Sequence, residues 1–269
     1  MILAIPSPLG VALGIATAAS YGLAAVIASR MGRPVTRSVL IAAWLLHAGA
    51  LAVGLVGREP RFGFAPALSI TAWLVLTVYF IESRMYPQLI ARRALAGLGV
   101  VCVLLAVLFP GSPLHVTASP WLPLHLALGI ASYGLFAVAV VHAWLMTRAE
   151  KQIRLAAEPP GGVPLLTMER LTFRFVAAGF VLLSATLLAG FLFSETLYGA
   201  SFRGFRWDHK MVFSVLAWFA FAVLLIGRAR FGWRGRKARR VLYGGSALLL
   251  LAYVGSRFVL EVVLSRPPS

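Results

Sequence analysis

The sequence is poor in acidic residues and holds a single cysteine. Asp and Glu together number 8 among 269 residues, against 25 Lys and Arg, so the formal net charge is +17. The cysteine, Cys102, lies in an apolar run, and one thiol provides neither an internal disulfide nor a Cys-x-x-Cys metal or redox pair. We therefore interpret Cys102 as a packing residue.

Sequence signatures of nucleotide and hydrolytic chemistry are also missing. The chain contains no Walker loop, no G-x-G-x-x-G after a strand, no H-E-x-x-H, and no Ser-His-Asp arrangement readable from spacing. A hydrolytic or ATP-driven function has no support in these residues. We expect a protein that is not an enzyme.

Charged residues are scarce as well, at 12% of the chain, whereas apolar residues make up 60%. Soluble domains are closer to half apolar and a quarter charged. The cations are confined to short loops between long apolar runs, which indicates a topological role and not a nucleic-acid surface. The composition is that of an integral membrane protein.

The apolar runs predict an all-α, single-domain protein that crosses the membrane several times. A hydrocarbon core about 30 Å thick needs roughly 20 apolar residues per helix. Eight stretches meet this requirement: 8–29, 38–56, 64–83, 93–109, 121–147, 172–196, 210–228 and 241–264.

The loops between these stretches carry very unequal positive charge. Loops after spans one, three, five and seven hold 18 Lys and Arg, including the dense group from Arg228 to Arg240, whereas the alternate loops and ends hold 6. Cytoplasmic loops carry the excess of cations. We predict that both termini lie on the outer side of the membrane.

The five histidines are the most informative polar residues. On this topology His115, His125 and His209 collect near the outer face, His47 is in the middle of span two, and His142 is near the cytoplasmic end of span five. Imidazole is a usual ligand of haem iron, zinc and copper. Solvation in a loop is the alternative for His115, packing for His142, and a helix–helix hydrogen bond for His47.

Span eight contains two charges, Arg257 and Glu261, at helical four-residue spacing. They either neutralise each other on one helix face or let Arg257 meet an anionic ligand group. Arg228 and the 232–236 turn, Gly-Trp-Arg-Gly-Arg, are interpreted as a cytoplasmic anchor.

Several segments resemble CcsA-type cytochrome c assembly proteins, most closely the YpjD and HemX-like branch. The stretch from Ser119 to His125, with Ser132-Tyr133 after it, is similar to the family's segment around an outer-face histidine. Trp207-Asp208-His209-Lys210-Met211 resembles the family's tryptophan-rich W-D-P-K-E motif. The turn at 232–236 and Tyr253-Val254-Gly255 also fall in register.

The resemblance implies a membrane protein that handles haem, here haem b, at its outer face. His125 matches an axial histidine, Trp121, Tyr133 and Trp207 would form an aromatic wall, and Arg257, Arg203 or Arg206 would meet the propionates. Ile226 and Leu264 stand where the family has further histidines. His209, beside the remnant Trp207-Asp208, is our hypothesis for the second iron ligand. Its alternative is a haem held by His125 alone.

The lipid bilayer is one expected partner, and other cytochrome assembly proteins are another. A second interpretation belongs to a different class, namely a non-catalytic accessory partner of another membrane protein such as an ion transporter, with structural histidines. A transporter is the third. Against it, no mid-span helix break and no deep pair of acidic residues is seen in the sequence.

Overall fold

The computed structural model describes residues 7–28, 30–56, 60–86, 91–113, 121–155, 164–193 and 209–263. Seven helices in these ranges are long and apolar enough to cross a membrane. They begin and end at α1 Pro8–Ile27, α2 Arg33–Val56, α3 Phe64–Met85, α5 Leu122–Arg154, α6 Leu165–Leu192, α7 His209–Phe231 and α8 Gly235–Leu250, and the last continues to Phe258. The all-helical, multi-span prediction is confirmed at this level.

The predicted fourth span is the shorter helix α4, Arg92–Leu108. Its 17 residues extend about 26 Å at 1.5 Å per residue, less than the roughly 30 Å of a hydrocarbon core. The count of eight crossings therefore stays a prediction.

The chain divides into two compact units. Unit 1 contains residues 1–85, 90–114 and 257–269, and unit 2 contains residues 86–89 and 115–256. The expectation of one domain over the whole chain stays a prediction.

Unit 1 is built where α1 packs against α2 and α4, and α3 packs against α4. Glycine permits the close approach: a Cβ on Gly14 would lie 2.4 Å from Val107, and one on Gly99 would lie 2.9 Å from the Tyr21 ring. A two-residue strand pair, β1 Arg61–Phe62 with antiparallel β2 Ser112–Pro113, closes one end of the unit. Gly14 and Gly99 therefore serve close helix packing.

Unit 2 packs α5 to α8 around two stacked aromatic rings. Phe136 of α5 and Phe221 of α7 lie 3.7 Å apart between centroids, at 7°. Gly179 of α6 and Gly245 of α8 lie against these rings, because a Cβ at either position would come within 3.2 Å of them. Larger residues at the two glycines would push the four helices apart.

Helix α8 does not end as an α-helix. It continues into a π-helix at Leu251–Gly255, a three-residue α segment at Ser256–Phe258, and a second π-helix at Val259–Val263. The hydrogen-bonding step changes from four residues to five in π-helical stretches. Residues 257 and 261 lie within this mixed segment, and whether they share a helix face stays a prediction.

Candidate functional site

Two ion pairs define one end of unit 2. Arg239 of α8 binds both carboxylate oxygens of Glu150 of α5, at 2.6 and 2.9 Å. Arg228 of α7 donates to Glu169 of α6 at 2.6 Å. We call this end, with residues 144–155, 164–174 and 228–240, the basic end. The sequence analysis missed these pairs, although two isolated glutamates within strongly cationic stretches were their signal.

The other end of unit 2 collects the predicted histidines. The ion pairs fix the end of α5, the start of α6, the end of α7 and the start of α8 together. The start of α5, the end of α6 and the start of α7 therefore lie at the opposite end. We call residues 121–125, 189–193 and 209–213 the histidine end. Both His125 and His209 belong to it.

His125 lies one turn into α5 and is half-buried. Its neighbour on α6 is Gly190, where an added Cβ would lie 3.5 Å from the imidazole Cε1 atom. A methyl group there would make only ordinary van der Waals contact with the ring. The imidazole of His125 therefore lies close to α6 at a position that carries no side chain.

Two further predicted residues lie at the histidine end with His125. Trp121, immediately before α5, has an exposed fraction of 61%. His209 is the first residue of α7 and is exposed. Both side chains are therefore accessible to a ligand at this end. Trp207, Asp208, Arg203, Arg206 and His115 were also predicted to contribute, and they lie outside the described residues.

Tyr133 lies deeper in unit 2. It is eight residues from His125, or about 12 Å along an α-helix. Its hydroxyl donates a 2.5 Å hydrogen bond to the carbonyl oxygen of Leu249, just before the first π-helix. This contact joins α5 to α8 where the hydrogen-bonding pattern of α8 changes. The proposed place of Tyr133 in an aromatic wall stays a prediction.

His47 belongs to unit 1 and is 1% exposed. Its Nδ1 atom is 3.2 Å from the hydroxyl of Tyr21 on α1, and its Nε2 atom is 2.8 Å from the hydroxyl of Ser69 on α3. A neutral imidazole donates from one nitrogen and accepts at the other, so both are satisfied here. Of the two interpretations, this geometry favours the helix–helix hydrogen bond.

Replacing His47 with leucine is expected to destabilise the protein without changing its haem content. The substitution leaves two buried hydroxyls without their partner, at a cost of about 1–3 kcal/mol. Thermal melting in detergent measures the destabilisation, and Ser69→Ala, which removes one of the two bonds, should shift the midpoint less. Loss of haem at an unchanged midpoint would instead identify His47 as a ligand.

Arg257, Glu261 and His142 are the remaining polar residues singled out in the sequence. Arg257 belongs to unit 1, where its neighbour Phe258 packs edge-to-face on Phe64, with 5.4 Å between centroids. The side chain of Glu261 lies outside the description. His142 is 2% exposed and packs edge-to-face against Phe175 of α6, as the packing interpretation expects.

The described residues contain no group of three or more His, Cys, Asp or Glu side chains that could together hold a metal ion. An axial haem site is built differently, from one or two side chains bound to the iron. His125 and His209 are thus the candidates that the described histidine end offers.

Comparison with known proteins identifies the family. The family model described as cytochrome C assembly protein matches residues 33–264. Inner membrane protein YpjD of Escherichia coli K12 is 29% identical over 201 residues, covering 72% of this chain and 73% of that protein. Cytochrome c biogenesis protein CcsA of a Synechococcus strain, RCC307, is 25% identical over 231 residues, covering 74% and 73%.

A further relative shares a shorter stretch. A 28.8 kDa protein of Azospirillum brasilense is 36% identical over 149 residues, covering 54% of this chain and 53% of its own length. No solved structure matches the chain. The seven membrane-length helices and the likeness to inner-membrane relatives make this a multi-pass inner-membrane protein. Because the family model covers most of its length, the chain belongs to the cytochrome c assembly protein family.

Proposed function

We propose that this protein holds haem at the histidine end of unit 2, for cytochrome c assembly or haem homeostasis, without catalysing turnover. The observation that carries the proposal is the position of His125. Its half-buried imidazole lies one turn into α5, close to Gly190 of α6, which carries no side chain. Membership of the assembly family adds support.

The chain's own residues have distinct parts in this proposal. His125 would hold the haem iron through an imidazole nitrogen, and haem b would supply the redox-active iron. Trp121 offers an exposed aromatic face at the same end. His209 is the proposed second axial ligand. Arg203 and Arg206, which precede α7 in the sequence, are the proposed partners of the haem propionates.

A haem absorption spectrum of the protein purified in mild detergent tests this function. We expect a Soret band that co-purifies with the protein and responds to reduction by dithionite. A preparation that shows no band, and that gains none when haem is added, would contradict the proposal. The accessory-partner interpretation, in which the histidines are structural, would then remain.

The proposed function also requires the histidine end to face outward. We propose that α4 crosses the membrane as an eighth span and that both termini lie outside. The support is the distribution of cations: 18 in one set of alternate loops and 6 in the other. The histidine end would then face the periplasm, and the basic end the cytoplasm.

Single-cysteine labelling in intact cells is expected to confirm this orientation. In a Cys102→Ser background, a membrane-impermeant thiol reagent should label cysteines at Arg58 and His115, but not at Arg33, Lys151 or Arg236. Labelling at residues 33 and 151 also tests α4, because these residues lie on the same side of the membrane only if α4 crosses it. Labelling at residue 236 without labelling at residue 115 would contradict the proposed orientation and favour the opposite one.

A further inference from the structure

The basic end of unit 2 contains a cavity that the proposed haem function does not use. Its volume is about 220 Å³, and it lies among α5, α6, α7 and α8. Most of its lining is apolar: Met146, Leu165, Phe173, Val176, Leu224 and Leu242. A cavity of this kind accepts a hydrocarbon group and disfavours a bare ion.

The charged groups on the cavity wall are already paired with one another. Glu150 is held by the two-pronged contact with Arg239, and Glu169 by Arg228 at 2.6 Å. Arg234 adds a longer contact of 3.7 Å to Glu169. Both carboxylates are thus neutralised within the protein. They do not make the cavity a site for a cation.

Around the cavity the charge is strongly positive. The basic end holds 12 Lys and Arg side chains and only these two carboxylates. Four of the cations are exposed near the start of α8: Arg234, Arg236, Lys237 and Arg240. Arg236 and Arg240, four residues apart, share a helix face adjacent to the face of α8 that lines the cavity. An anionic group next to the cavity opening would meet several of them.

An apolar cavity at a strongly cationic surface matches one amphipathic occupant. We propose that the basic end binds one anionic phospholipid, with an acyl chain in the cavity and the headgroup phosphate on the exposed cations of residues 234–240. Basic pockets between transmembrane helices bind anionic lipid headgroups in this way. A soluble anion would use the cations but leave the apolar cavity empty, and a zwitterionic lipid would gain less from the charge.

Thermal melting of the delipidated protein, followed by tryptophan fluorescence, tests the lipid site. Dimyristoylphosphatidylglycerol in mixed micelles is expected to raise the midpoint by about 5 °C when present at a large excess over its dissociation constant. Phosphatidylcholine with the same chains, and inorganic phosphate, should each raise it by less than half as much. An equal effect of phosphatidylcholine would overturn the anionic headgroup, and an equal effect of phosphate would overturn the lipid.

Two variants locate the two parts of the lipid. Arg236→Gln/Arg240→Gln should lose most of the shift, whereas Arg30→Gln/Arg37→Gln, an equal charge loss on exposed residues of unit 1, should retain it. Ala238→Leu adds volume at the cavity wall and should also reduce the shift. A full shift in the 236/240 variant, or in a folded Ala238→Leu variant, would refute the proposed site.

Discussion

Replacing His125 with alanine is expected to abolish the haem absorption band while the protein still inserts and purifies at parental yield. His125 is half-buried near the start of α5, so truncation removes little packing, but it removes the proposed axial nitrogen. The measurement is the ratio of Soret to protein absorbance in detergent, which we expect to fall at least tenfold. A loss of one axial ligand can account for an effect of that size.

The adjacent residue provides a matched control. Leu124 has an exposed fraction of 52%, and Leu124→Ala removes a larger apolar group from the same helical turn. We expect it to keep the parental haem ratio. Equal haem content in His125→Ala and the parent would exclude His125 as a ligand, and would shift support to the accessory-partner interpretation.

The spin state of the bound haem distinguishes His209 from an open coordination position. Two imidazoles give a low-spin ferrous spectrum, whereas one imidazole gives a high-spin haem that binds carbon monoxide readily. If the parent is low-spin, His209→Ala should convert it to the high-spin form. An unchanged low-spin spectrum would exclude His209, and His115 would then be the next variant to test.

Replacing Gly111 with alanine is expected to destabilise unit 1 strongly. Gly111 has φ of +79°, a conformation that costs a residue with a Cβ about 1–3 kcal/mol. A Cβ there would also lie 2.6 Å from the backbone carbon and oxygen of Phe62, which cannot rotate away as a side chain could. We expect the melting midpoint to fall by about 5–10 °C.

Cys102 provides the readout for this variant. The thiol is buried in α4 of unit 1, so a thiol-reactive fluorophore labels it when the unit unfolds. Gly97→Ala, in the same helix, is the control because nothing lies within 4 Å of its added Cβ. Alanine is favoured over glycine inside a helix, so the control should melt at or above the parental midpoint. Similar melting midpoints for the Gly111→Ala and Gly97→Ala variants would show that the backbone around residue 111 adapts to the added methyl group.

The membrane architecture could be predicted from composition and periodicity alone. Long apolar runs have no stable place outside a bilayer in a chain this poor in charge, and each run must satisfy its own backbone as a helix. The seven membrane-length helices therefore fall close to their predicted positions. The motif around His125 likewise pointed to the family before any geometry was known.

Helix ends at the basic end could not be predicted in this way. α5 continues to Arg154, whereas the prediction ended at 147, and α6 begins at Leu165, whereas the prediction began at 172. The extra turns of α5 are polar, and those of α6 contain Glu169 and Arg170, so a search for uninterrupted apolar runs leaves them out. Their stabilising contacts, Glu150 with Arg239 and Glu169 with Arg228, join residues 89 and 59 positions apart. Apolar run length contains no information about such pairs.

The histidines show the same division between sequence and tertiary structure. The sequence by itself determined that the chain is a helical membrane protein of the assembly family and that His125 lies near a helix end. It left His47 undecided between a binding site and a helix–helix hydrogen bond. Only the tertiary structure shows the hydroxyls of Tyr21 and Ser69 reaching His47 from two other helices, which favours the hydrogen bond. Whether an imidazole is saturated or open to a ligand depends on neighbours that are distant in the chain.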